Sequence, residues 1–384
     1  MAVLAGAALL IALTLVVGLA ELAARRSPQT AIRINPFHSD ALAAAAYQQL
    51  EQRAGAGADS AKDLALRAIA LNPVSSSGIR TLGFVADLQR EPRRGQIMLD
   101  HAQVLSRRDL PTQLALIQRA VDAEDVPGAL RHYDIALKTS GAAHTVLMPI
   151  LVQASADPGL VGPLAKLLAA RPVWRIDFLR AAIQGSPEPA RLAQLSVLLD
   201  RFKAPLTADQ KVELADRLVQ DRQFSAAAQL MDRARDPALV TTGSVGPFGW
   251  KLATGYGWGA ERAGGKGPGA NTILLHTTAD YSGEVARQLV VLRPGPYRIA
   301  VRGHHMPSLA TESPFVAIGC AIDGAQNLVS LDLVATARPA TEWSGHFVVP
   351  ARCGGQWLTI NLRPQRSDQP TDTAIETIAI VRAA

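Results

Sequence analysis

The chain is short of the features that announce an enzyme or a nucleic-acid binder. Charged residues make up only 19% of its 384 positions and aromatic residues 5%, and there are two cysteines. No His-Glu-x-x-His helix, Gly-x-Ser-x-Gly elbow or Cys-x-x-Cys pair occurs, so zincin, α/β-hydrolase, thioredoxin-like and zinc-ribbon readings have nothing to rest on. Cation clusters are lacking too. Lys+Arg exceeds Asp+Glu by 27 to 23 through Asp236 and by 12 to 10 after it, and the densest run is Arg90, Arg93 and Arg94, followed by Arg107 and Arg108. Phosphate backbones are bound by cations gathered on one face; a nucleic-acid partner is not expected.

Hydrophobic residues, by contrast, reach 48%, enough to bury a substantial core and to exclude wholesale disorder, and the length fits two or three domains. The stretch Ala2–Ala20 carries no charge, and at about 1.5 Å per residue it nearly spans the ~30 Å of bilayer hydrocarbon. Residues 1–24 therefore read as a transmembrane anchor, with a signal segment cleaved after Gly18-Leu19-Ala20 as the alternative. Arg25, Arg26 and Arg33 follow; the positive-inside rule would hold that side in the cytoplasm, and basic residues upstream of Met1 would reverse it.

A 34-residue recurrence comes next. Ala61 and Ala68 are matched by Gly95 and Ala102 and again by Ala129 and Ala136, with Leu64, Leu99 and Tyr133 at apolar positions between. Leu82-Gly83 and Leu116-Ile117 hold equivalent places in the preceding helices. This pattern resembles the tetratricopeptide repeat, with Pro73 as the proline that closes a unit; Arg107 and Gly141 stand where later units would repeat it. The likeness is good over residues 38–141 and loose over 142–235, where Ala170 stays in phase and a last hairpin is expected at Ala208–Gln220 and Phe224–Ala234. It implies an α-helical solenoid over residues 38–235, behind a linker at 25–37, with a concave surface for a protein partner. A plain spacer is the alternative, since a repeat does not fix function.

From Asp236 the texture changes to short runs, NTILLHTT, RQLVVL, YRIAVRG, FVAIGCAID, LVSLDLVA, HFVVP, WLTINL and AIETIAIVR. They predict an antiparallel β-sandwich or jelly roll over residues 236–384, making the whole a multidomain α plus β protein. Pro247-Phe248-Gly249-Trp250 and the turn from Leu292 to Tyr297 resemble carbohydrate-binding-module-like jelly rolls, which implies a glycan ligand. The full layout resembles repeat proteins of Gram-negative exopolysaccharide synthesis and export systems. That resemblance implies a non-catalytic accessory protein anchored in the inner membrane and facing the periplasm, or secreted there.

Three rings in KLATGYGWGAE and its approach are the glycan candidates: Tyr256 and Trp258, each equally readable as core, and Trp250, for which core is the preferred reading. Flat apolar rings suit the C–H faces of sugars. Trp343 and Trp357 read as core or edge cover. Cys320 and Cys353 form a disulfide candidate, or stay as two buried thiols. Adjacent His304 and His305, with His276 and His346, raise a metal site, but neighbours on a strand point to opposite faces, so ordinary histidines are expected. Asp368, Asp372 and Glu376 raise a calcium loop, with a solvated turn preferred. Asp323, Asp332 and Glu342 show no glycosidase spacing. The glycine-rich Ala260–Gly267 segment lacks the Ser or Thr of a phosphate loop and reads as a flexible surface loop. No cofactor is implied.

Overall fold

A computed structural model describes residues 19–24, 26–52, 57–232, 246–263, 272–277, 281–321, 327–336, 340–365 and 373–383. Most of the anchor segment Ala2–Ala20 lies outside the described residues. Among those described, no helix is long and apolar enough to cross a membrane. The stretch read as a linker contains a helix, α1 Pro28–Ile34, started by a Ser27 cap that accepts from the Thr30 amide and by proline in the first turn. That is the expected chemistry of a helix N-terminus.

Twelve further helices follow among the described residues: α2 Ser39–Gln52, α3 Ala58–Leu71, α4 Ser76–Leu88, α5 Pro92–Leu105, α6 Leu110–Asp122, α7 Val126–Thr139, α8 Gly141–Ala154, α9 Pro158–Ala169, α10 Arg175–Gly185, α11 Pro189–Arg201, α12 Ala208–Gln220 and α13 Phe224–Leu230. The starts of α3, α5 and α7 at Ala58, Pro92 and Val126, and those of α4 and α6 at Ser76 and Leu110, are each one 34-residue step apart. A near-equal spacing continues through α8, α10 and α12, which begin at Gly141, Arg175 and Ala208, 31, 34 and 33 residues on in turn from Leu110. It is thus more regular after residue 141 than the alanine pairs indicate, because larger residues take over the seam: Leu164, Ala165 and Leu168 on α9, and Leu192, Leu195 and Leu199 on α11, are buried. Helix α13 stops at Leu230, and Ala234 lies outside the described residues.

Caps and small residues explain the recurrence. Ser75, Asp109 and Asp125 accept from the amides of Gly78, Thr112 and Gly128, and Thr207 with Gln210 forms a full capping box. Such caps each contribute about 1 kcal/mol. The Leu-Gly pair of α4 has a packing reason: a Cβ at Gly83 would stand 3.2 Å from Leu99 Cγ and 3.3 Å from the Gly95 carbonyl. Gly95 replaces the alanine of the other units because Asp87 and Arg119 occupy the space its Cβ would fill. Those two side chains pair at 2.5 and 2.7 Å. A second pair joins the same two helices, Arg80 of α4 to the α6 cap residue Asp109.

The described residues divide into two compact units, one within Met1–Leu151 and Ala170–Phe178, the other within Val152–Ala169 and Leu179–Ala384. In the second unit, eleven strands form two antiparallel sheets: β1 Lys251–Leu252, β2 Thr254–Gly255, β3 Trp258–Arg262, β4 Ile273–Thr277, β5 Gly283–Val290, β6 Gly295–His304, β7 Phe315–Cys320, β8 Asn327–Asp332, β9 Ala340–Val349, β10 Gln356–Leu362 and β11 Thr373–Arg382. Sheet order is β1-β5-β10-β7-β8 in one and β2-β3-β4-β11-β6-β9 in the other. Both feed a single core, with Val285, Ile318 and Leu358 from the first and Leu275, Ile299 and Ile380 from the second. All eight runs anticipated from alternation are strands. The Gly-rich KLATGYGWGAE stretch is paired as well, as β1 to β3, and of the Ala260–Gly267 segment read as a surface loop, Ala260–Arg262 belong to β3; residues 264–271 lie outside the described residues.

Cys320 and Cys353 form a disulfide, Cα atoms 5.4 Å apart. Beside it the side chain of Gln356, 0% exposed, donates to the Cys353 carbonyl (2.8 Å) and accepts from the Leu292 amide (2.9 Å). The last hairpin packs on this end of the sandwich: Gly246 approaches Val212 of α12, and a Cβ at Gly355 would stand 2.7 Å from the Phe224 ring of α13.

In the first unit, His132 is buried against Gln113 at 3.0 Å. Burial, with the Arg131 guanidinium second, holds its imidazole below the ordinary value. The unfolded chain therefore takes up a proton near pH 6.5 that the folded chain refuses, so stability falls as pH drops below about 6.5. A lower urea midpoint at about pH 5.5 than at about pH 7.5 is expected, and His132→Gln should narrow the gap; a gap of unchanged width would remove His132 as its source.

Candidate functional site

The three rings of the N-terminal approach to the sandwich have different fates. Trp250, 9% exposed, is part of the core; the adjacent Phe248 carbonyl accepts from buried Gln288 at 2.6 Å, which seals that edge. Trp258 points along the β2–β3 hairpin, where a Cβ at Gly255 would overlap its indole. Tyr281 stacks on it with centroids 3.8 Å apart and planes 9° apart. With a glycine against it and a ring over it, Trp258 keeps little free face for a sugar. Tyr256 sits at the hairpin tip, before Gly257 at φ +75°, and is fully exposed at 104%. Of the three candidates, the geometry leaves only Tyr256 open to a ligand.

A broader ring-bearing surface lies on the outer face of the β1-β5-β10-β7-β8 sheet. Trp357 alternates with the inward Gln356 and Leu358 on β10 and is half-buried, not core. Its direct partners are Leu289 on β5 and Gly319 on β7. The next row is Arg287, Thr359, Ala317 and Ser330, and the next is Glu284, Asn361, Phe315 and Asp332. Paired residues share a face, so one surface combines a tryptophan flanked by buried Leu289 and by Gly319 with a bank of hydroxyl, amide and charged groups. The Arg287 guanidinium covers the Trp357 ring at 5.2 Å, and Arg363 lies over Phe315 at 4.6 Å while bonded to Asp332 at 2.7 Å. The period-two alternation of QWLTINL carried this outward placement, which the reading of Trp357 as core or edge cover passed over.

The histidines do not converge. His276 on β4 pairs across to Gly259 and His346 on β9 to Arg298, whereas His304 Nδ1 lies 3.1 Å from Glu376. His305 adopts φ 58° and sets its ring edge-on to that of His304, centroids 4.7 Å apart. Among the described residues no group of three His, Cys, Asp or Glu is placed to hold a metal. Asp368, Asp372 and Asp323 lie outside the described residues. Asp332 and Glu342 are ion-paired to Arg363 and Arg298.

On the helices, a ring cluster that the sequence did not advertise joins successive hairpins: Tyr47 of α2 and Phe84 of α4 have centroids 6.0 Å apart, and Arg80 lies over Tyr47 at 4.7 Å. Burial, reinforced by Glu51, raises the Tyr47 phenol above its ordinary value.

No family model matches the chain, and no curated protein matches it. Among solved structures, YrrB, a tetratricopeptide protein with an unusual peptide-binding site, is similar at 14% identity over 54% of this chain and 91% of its own, TM-score 0.26. A family 4 carbohydrate-binding module is similar at 13% identity over 38% of this chain and 96% of its own, TM-score 0.25. The enzymatically active domain of bacteriophage CBA120 tailspike protein 4 is similar at 7% identity over 29% of this chain, TM-score 0.23, and the chain spans only 15% of it. At such scores the geometry of this chain, not the likeness, decides the reading.

The differing environments of the two hairpin rings give a direct test. Trp258→Ala or Tyr281→Ala should cost about 3 kcal/mol in urea unfolding, as for a packed aromatic, and Tyr256→Ala less than about 0.5 kcal/mol. Equal losses would show that Trp258 is not clamped.

Proposed function

We propose that the chain is a non-catalytic adaptor of the cell envelope: its helical repeats take a protein partner and its sandwich, a jelly-roll type of module, takes a glycan. One observation carries the glycan half, the cross-strand rows around Trp357, in which a half-buried aromatic ring lies among hydroxyl, amide and charged groups on the outer face of the sheet. Sugars are recognised by this mixture, a flat apolar surface for C–H groups and polar neighbours for hydroxyls. Tyr256 at the β2–β3 hairpin tip adds a second, exposed ring.

The regular hairpin spacing supports a partner-binding array, since stacked hairpins form extended concave surfaces. A spacer role is the second reading, favoured by the packing of Phe224 on Gly355, which builds the last hairpin into the sandwich. Location follows from chemistry: a Cys320–Cys353 disulfide persists in oxidising compartments, and with an uncharged Ala2–Ala20 segment this favours an inner-membrane anchor facing the periplasm. An accessory part in exopolysaccharide synthesis or export fits that address.

Two measurements test the proposal. Full-length protein probed against a panel of bacterial exopolysaccharides should bind at least one, and Trp357→Ala should weaken it about ten-fold, the equivalent of ~1.4 kcal/mol; no binding to any polysaccharide would sink the glycan half. In intact cells, a membrane-impermeant thiol reagent should label Cys320 and Cys353 only after reduction. Thiols free in the native protein and protected until lysis would place the sandwich in the cytoplasm.

A further inference from the structure

At the far end of the second sheet, where β6 gives way to the turn at His305, a pocket of about 190 Å³ is lined by His304, His305, Met306, Thr336, Thr341 and Trp343, with Gly303 and Ala335 as floor. Its walls are fixed by bonds to one another. Trp343 Nε1 donates to the Val334 carbonyl at 2.9 Å, the Ala335 amide to the Pro307 carbonyl at 2.9 Å, and the hydroxyls of Thr336 and Thr341 lie 2.6 Å apart. The Thr373 hydroxyl holds the His305 carbonyl at 3.2 Å. Gly303 is required here, since a Cβ would run into the backbone carbonyl of Ala374 on β11 and stand 2.7 Å from Met306 Cε. A β-bulge in β11 between Ile375 and Thr377 places Glu376 beside His304; re-aiming a side chain is what a bulge does. In the neutral imidazole, the tautomer that gives Nδ1–H to the carboxylate has Nε2 as an acceptor.

The pocket is smaller than the ~300–1,000 Å³ typical of drug-sized ligands, and holds roughly six waters at about 30 Å³ each. It pairs one indole and a methionine with two hydroxyls and an oriented imidazole, and the Glu376 carboxylate beside it is partnered by His304. We infer that this is a second, separate site that takes one neutral pyranose ring, the terminal sugar of a glycan, end-on. This rests on the reading of the sandwich as a glycan-binding module but not on the Trp357 face, which suits a chain lying along the strands.

Titration calorimetry of the full chain with a panel of neutral methyl pyranosides tests it, using Thr341→Val, which keeps side-chain shape and removes a hydroxyl, together with His304→Ala and Trp357→Ala. Unchanged circular dichroism and melting would certify the fold of each variant. At least one methyl glycoside should bind, weaken about ten-fold or more in both pocket variants, and be indifferent to Trp357→Ala. Binding of polysaccharide without any methyl glycoside would overturn the pocket and leave the module reading intact. Binding of a methyl glycoside that ignores both pocket variants would also overturn it. If neither monomer nor polymer binds, pocket and module reading fall together.

Discussion

A helix of thirteen or fourteen residues is marginal alone in water and gains its stability from the apolar face it buries against a neighbour. In this chain that burial is achieved by close approach, because the seam between hairpin helices is built of alanine and glycine. Ala61, Ala65 and Ala68, then Leu99 and Ala102, then Ala136, are almost wholly enclosed, and Gly83 lets the next helix come within contact distance of its backbone. Small residues at a seam leave little apolar area per contact, so the array adds charge-paired links from one hairpin to the next. Arg80 with Asp109 and Arg119 with Asp87 both tie α4 to α6, and Gly95 is the concession that makes room for the second pair.

The sandwich solves a different problem, that of sealing the ends of two sheets. At one end Gln356 bridges the Cys353 carbonyl and the Leu292 amide, so a single fully buried amide serves both the loop after β9 and the turn before β6. The disulfide fixes the same loop to β7. Removing one partner from such a buried network leaves the others unpaired at about 1–3 kcal/mol each. At the opposite end there is no disulfide; the Thr336, Thr341, Trp343 and His305 contacts hold the loops and leave a cavity between them. One end is stapled shut and the other is a formed mouth.

Much of this was legible because it depends on periodicity. The 34-residue spacing of small residues located the hairpins through α7, and period-two alternation located β4 to β11. What escaped depends on contacts distant in sequence or on signals shared with loops. The strands β1 and β2 are two residues long and lie in a stretch rich in glycine, so no alternation exists to read; their partners β5 and β3 create them. The clamping of Trp258 by Tyr281 joins positions separated by an undescribed stretch and is invisible in composition. Trp357 is the instructive case. Its outward direction was written in the alternation of β10, and only the habit of assigning tryptophan to cores hid it. Residues after 141 kept the hairpin rhythm while changing its marker from alanine to leucine, which a search for alanine pairs registers as decay.

The change of composition near Asp236 marks where helices give way to strands, yet it is not where the second unit begins. That unit takes in Val152–Ala169 and everything from Leu179, and the reason is local. Phe224 is almost fully buried, its ring set against Gly354 and Gly355, and Val212 faces Gly246. A side chain at Gly355 would collide with that ring, so the glycines after Cys353 form a socket that fits the last hairpin, and the disulfide that fixes Cys353 fixes the socket. A sandwich separated at residue 236 would lose the aromatic that fills it and expose the buried end where Gln356 does its bonding. The helices nearest the sandwich are therefore structural members of the module, and the protein partner proposed for the array has to be sought on the hairpins that precede them.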